Sequence, residues 1–126
     1  MFLNLKKNLR VWVVDDEPLN LIAVKKVLEK KGASVLTFTH PHAAIKQLES
    51  ETADVIVTDL QMPGMDGLQF LEYLKRTYPK IPVIFLTAHA TVETAVMATK
   101  WGAFHFLEKP FDAAKMWDVI NLSVQN

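Results

Sequence analysis

Two adjacent carboxylates (Asp15 and Asp16), a third at Asp59, a hydroxyl at Thr87 and an ammonium at Lys109 each end or follow a short apolar run in this 126-residue chain. A single Asp after such a run is most often a solvated cap or turn residue. The set asks for more. Gathered at one rim, three carboxylates would repel one another by roughly 1–4 kcal/mol per pair at ~4 Å, depending on the local dielectric. Lys109 returns one positive charge, too little for all three. A hard divalent cation is the natural remainder, and Mg²⁺ (or Mn²⁺) suits one or two carboxylates with water and a phosphate oxygen. The chain has no cysteine and no His pair at ligand spacing, so zinc is a poor fit. A carboxylate beside such a cation and an ammonium suits phosphoryl transfer, in which it attacks phosphorus to give an acyl phosphate. With four glycines and neither G-x-x-x-x-G-K-[ST] nor G-x-G-x-x-G, no nucleotide cradle is expected. The phosphoryl group must then arrive on another carrier.

Only a particular fold would bring these residues together. Short β-rich runs occur at Val11–Val14, Ser34–Phe38, Asp54–Thr58, Val83–Thr87 and Phe104–Leu107. The first, third and fourth are nearly continuous in apolar residues, as in strands buried on both faces of a parallel sheet. Segments with helical spacing lie between them. Their stripes are Ala23, Val24, Val27 and Leu28; Ala43, Ala44 and Leu48; Leu68, Leu71 and Leu74; Val92, Ala95, Val96 and Thr99; and Trp117, Ile120 and Val124. Five β-α units in alternation predict a five-stranded parallel sheet with helices on both faces, an α/β single domain. Ligands of such sheets sit at the carboxyl ends of the strands, near the topological switch. Asp15, Asp16, Asp59, Thr87 and Lys109 all fall at that rim.

Composition narrows the classes. Half the residues are hydrophobic, which excludes a disordered chain, and the length suits one core. Fourteen basic residues balance fourteen acidic ones, which argues against direct nucleic-acid binding. No apolar run approaches the ~20 residues needed to span a bilayer. The first residues lack the apolar core of a signal peptide, so a cytoplasmic location is expected. Residues 1–9 are read as an N-terminal extension and 10–126 as the domain.

The motifs resemble a known family. Val13-Val14-Asp15-Asp16-Glu17-Pro18, the run from Asp54 through Asp59-Leu60-Gln61-Met62-Pro63-Gly64-Met65-Asp66-Gly67, Leu86-Thr87-Ala88 and Phe106-Leu107-Glu108-Lys109-Pro110-Phe111 are similar to receiver domains of two-component response regulators. Thr87 through Ala95 further resembles receivers of NtrC-like transcriptional activators. The resemblance implies a (βα)5 flavodoxin-like, CheY-like fold and Asp59 as phosphoacceptor. It implies a metal held by Asp16, Asp59 and the Gln61 backbone carbonyl, with Asp15 assisting mainly through water. Lys109, Thr87 and the adjoining Ala88 would contact the phosphoryl group, and Phe106 stands where many members carry a switch tyrosine. A cis Lys109–Pro110 bond is implied too. Gln61 and His89 lie where members tune phosphate lifetime, and Trp101 and His105 lie on a face used for dimerisation. The implied partners are a sensor histidine kinase or phosphotransfer protein, an output domain or downstream protein, and a second copy on phosphorylation. Such a domain assists its own phosphorylation but is not a turnover enzyme.

Three rivals share these features in part. An Mg²⁺-dependent aspartyl-phosphate phosphatase would place its carboxylates as D-x-D after the first strand, whereas Asp15 and Asp16 are adjacent. An unphosphorylated interaction module would not need Asp15, Asp16, Asp59, Thr87 and Lys109 together. A flavin-binding module would need a Ser/Thr/Gly-rich first loop. The two methionines of the Met62–Met65 loop either cover Asp59 or fill apolar gaps.

Overall fold

The computed structural model describes residues 8–62 and 64–125. Residues 1–7 of the expected extension, and Pro63 in the loop after Asp59, lie outside that range. The elements alternate as β1 (Arg10–Val14), α1 (Pro18–Lys30), β2 (Ser34–Phe38), α2 (Pro41–Gln47), β3 (Val55–Thr58), α3 (Gly67–Thr77), β4 (Val83–Thr87), α4 (Val92–Lys100), β5 (His105–Glu108) and α5 (Ala113–Val124). The strands form one parallel sheet in the order β2-β1-β3-β4-β5. The order reverses at β1, so the crevice for a ligand opens above β1 and β3.

Strand periodicity divides the core into two layers, because successive side chains point to opposite faces. Val11, Val13, Val55, Val57, Ile84 and Leu86 meet α1 and α5 through Leu21, Val24, Leu28, Met116, Val119 and Ile120. Trp12, Val14, Ile56, Val83 and Phe85 meet α2, α3 and α4 through Ala44, Phe70, Leu71, Leu74 and Ala98. Helix starts follow from local chemistry. Asp66 and Gln69 form a reciprocal capping box on α3, as Thr91 and Thr94 do on α4. Asp112 caps α5, and Pro18 opens α1 where its missing N–H costs nothing.

Three helical stripes differ from the sequence reading. Ala23 and Ala43 face solvent, and α1 and α2 bury Leu21 and Pro41 instead. On α4 the difference is a reversal of face: Val92 and Val96 are 83% and 58% exposed, while Ala98 is fully buried. The small Ala98 lets the helix lie close to the sheet, with Thr94, Ala95 and Met97 half-buried around it. The apolar valines are left outside.

Candidate functional site

Strand register brings the carboxylates together before any side chain is considered. Val14 of β1 is paired with Thr58 of β3, so the chain leaves the sheet at Asp15 and Asp59 side by side. The Asp59 N–H donates to the Val14 carbonyl at 2.9 Å and the Asp15 N–H to the Phe38 carbonyl at 3.0 Å. Lys109 follows β5, two strands away from β3, with its backbone N–H on the Thr87 carbonyl at 2.9 Å. Its long stem carries the ammonium across the end of β4. There Nζ donates to Asp15 Oδ2 at 2.8 Å and Asp59 Oδ2 at 3.0 Å, with Glu17 Oε1 at 3.6 Å. Asp15 and Asp59 are only 2% and 6% exposed. Burial lowers the Lys109 pKa, but hydrogen bonds to Asp15 and then Asp59 outweigh it, leaving the pKa above the ordinary 10.5.

Backbone donors hold the other carboxylate oxygens. Asp59 Oδ1 accepts the Leu60 N–H at 2.6 Å and the Gln61 N–H at 3.4 Å. Asp15 Oδ1 accepts the Glu17 N–H at 2.9 Å, and its Oδ2 also accepts the Asn20 side-chain amide at 2.6 Å. Asp16 is exposed and brings a carboxylate oxygen to those of Asp15 and Asp59, all within 4.8 Å of one another. Asp15, Asp16 and Asp59 against one ammonium leave two negative charges unmatched, and the exposed Glu17 adds a further carboxylate beside them. An all-oxygen set with that residual charge fits a hard divalent cation. Asp15, Asp16 and Asp59 could hold one.

The remaining predicted residues divide by location. Thr87 is fully buried at the end of β4, and its hydroxyl oxygen accepts the His89 N–H at 3.1 Å. Ala88 and His89 follow it on the exposed loop. Phe106 is half-buried, its ring centroid 6.0 Å from that of Phe85 and tilted by 52°. The Lys109–Pro110 peptide bond is cis. Trp101 and His105 lie at the opposite rim, where α4 ends and β5 begins. Trp101 is 43% exposed, and His105 Nδ1 accepts the Phe106 N–H at 2.9 Å. Met62 and Met65 pack into the second core layer, so the gap-filling reading of that loop holds.

Asn20 escaped the sequence reading, and Glu17 and Gly67 stood in the quoted motifs without a role at the site. A Cβ on Gly67 would collide with the Asp59 carbonyl oxygen and stand 2.8 Å from both the Leu60 Cα and the Phe85 ring. Only glycine lets α3 start this close to the Asp59 backbone. A glycine at the first helical position was the available signal.

The family model described as the response regulator receiver domain matches residues 11–121. The chain belongs to the response-regulator receiver family. Among curated relatives, the receiver is 42% identical over 102 residues to the DNA-binding transcriptional regulator NtrC of Proteus hauseri. That match covers 81% of this chain and 22% of the relative, so the receiver spans about a fifth of the NtrC length. Among solved structures, a receiver domain protein from Clostridium thermocellum superposes with a TM-score of 0.84 at 34% identity, covering 92% of this chain and 94% of the other. The solution structure of the beryllofluoride-activated NtrC4 receiver domain dimer gives a TM-score of 0.86 at 37% identity, covering 91% of this chain and 95% of that one. Both are receivers of the same CheY-like architecture. The chain is thus a receiver domain similar to those of NtrC-like regulators. Among the described residues, no helix is long and apolar enough to cross a membrane.

Proposed function

We propose that this receiver accepts a phosphoryl group on Asp59 from a phosphohistidine of a sensor kinase or phosphotransfer protein. An Asp59 carboxylate oxygen attacks phosphorus, a P–O bond forms, and the P–N bond breaks with its electron pair left on the imidazole nitrogen. The observation that carries the reading is the Lys109 ammonium shared between Asp15 and Asp59, with Asp16 alongside, at the switch point of the sheet. Asp15, Asp16, Asp59 and the Gln61 carbonyl would hold Mg²⁺, which when bound supplies neutralising charge to the phosphoryl oxygens. Lys109 passes from Asp59 Oδ2 to a phosphoryl oxygen, and the Thr87 hydroxyl turns from the His89 N–H to donate to another. Phe106 follows the space that Thr87 vacates. Without a hydroxyl it couples through packing against Phe85 alone.

Leu19 and Ile22, 81% and 62% exposed at the start of α1, sit beside the carboxylate rim and suit docking of a macromolecular donor. On the far side, exposed Val96, Trp101 and Phe104 offer apolar surface for an output domain or a second copy. The receiver acts as a cytoplasmic two-state switch rather than a turnover enzyme, with no nucleic-acid contact of its own. The test is incubation with acetyl phosphate and Mg²⁺ followed by intact mass, for wild type and Asp59→Asn. A Mg²⁺-dependent gain of one phosphoryl group in the wild type alone supports the assignment. The same gain in Asp59→Asn, or none in a wild type that binds Mg²⁺, overturns it.

A further inference from the structure

The first turn of α1 is built differently from those of α3 and α4. On α3 and α4 the third helical residue, Gln69 or Thr94, reaches back to the backbone N–H of the N-cap residue. On α1 the N-cap residue Glu17 makes no side-chain cap, and its N–H points to Asp15 Oδ1 at 2.9 Å. The third helical residue is Asn20, and its amide donates to Asp15 Oδ2 at 2.6 Å. Both groups that elsewhere close a helix cap here converge on one carboxylate that is 2% exposed. Asn is a mediocre helix former, so helix propensity gives no reason for it at that position.

We propose that Asn20 is a positioning residue for cation binding, acting through Asp15; this rests on the cation-assisted reading above. Asp15 Oδ2 receives both the Asn20 amide and the Lys109 ammonium, at 2.6 and 2.8 Å. These two donors fill its lone pairs and fix the carboxylate plane. Oδ1, which takes only the Glu17 N–H among the described donors, keeps its second lone pair for the cation or its water. The neutrality of the amide matters as much as its reach. Asn20 orients Asp15 without adding positive charge, so the two unmatched negative charges of the cluster stay available to a divalent ion. Outer donors of this kind tune affinity by holding a ligand in place.

The test is Mg²⁺ titration by calorimetry on wild type, Asn20→Leu and Asn20→Gln, with urea unfolding of each metal-free protein as a control. Asn20→Leu keeps the branched four-heavy-atom shape and raises helix propensity while removing the donor, and it is expected to lose about tenfold in Mg²⁺ affinity. Its metal-free stability should change far less than that loss requires. Asn20→Gln restores a neutral amide and is expected to recover most of the affinity. Equal affinity in wild type and Asn20→Leu, or Asn20→Gln no better than Asn20→Leu, overturns the proposal alone. Absence of Mg²⁺ binding by the wild type overturns the parent reading, and this one with it.

Discussion

Lys109→Met probes how far one ammonium holds the site together. Methionine keeps an unbranched stem of similar length and removes the charge and all three donors. Nζ makes two short charge-assisted bonds, at 2.8 Å to Asp15 and 3.0 Å to Asp59, and the lysine side chain is 12% exposed. Each such bond contributes about 1.5–3 kcal/mol. Removing one partner from a buried ion pair costs about 3–5 kcal/mol, because the other charge stays behind. Asp16 opens the cluster to water on one side, which favours the lower end of that range. A loss of about 3 kcal/mol is therefore expected in the presence of chelator. The variant also raises the unmatched negative charge of the cluster from two to three. Added Mg²⁺ should then stabilise the variant more than the wild type, by the usual mass-action linkage. Urea unfolding followed by circular dichroism, in chelator and in saturating Mg²⁺, reads both effects. Equal midpoints for the two proteins in chelator would show that Asp15 and Asp59 need no ammonium between them, and would refute the reasoning.

Further outcomes follow from the same geometry. The Lys109 pKa is raised in the folded state, so its stabilising contribution is fully present below pH 10.5 and is lost as pH rises through the higher folded value. On the alkaline side, the stability difference between wild type and Lys109→Met should accordingly hold up to about pH 10.5 and shrink above it, as pH-dependent urea unfolding would record. Gly67→Ala should cost about 2 kcal/mol, the usual scale for overpacking, because its methyl group falls on the Asp59 backbone and the Phe85 ring. A urea midpoint matching wild type would contradict that close approach. His89→Ala should change the rate of phosphoryl loss, measured by intact mass over time after the donor is removed. An unaltered rate would discard a role for His89 in water access.

Much of the architecture was legible because parallel sheets write themselves plainly. Ser34–Phe38 and Val83–Thr87 match the observed strands end to end, and the other three differ by one residue at one or both ends. The rim residues were legible for the same reason, since each lies at or just past the end of a strand. Helical faces were harder. On α4, spacing cannot distinguish an apolar stripe facing the core from one facing outward, and a lone buried Ala98 carries little hydropathy signal. Asn20 and Gly67 were missed for a different reason. Their roles come from distances between segments, an amide against Asp15 and a missing side chain against Asp59, and no periodicity within a segment encodes such approaches.

The ammonium that joins Asp15 to Asp59 comes from the last strand, although the carboxylates it serves come from the first and third. In the sequence the last of those carboxylates therefore precedes the lysine by 50 residues. Without β5 at the sheet edge, those charges would face one another with no ammonium between them. Closure of this centre thus depends on the final β-α unit, and a chain cut before residue 109 would lack the ammonium that Asp15 and Asp59 share.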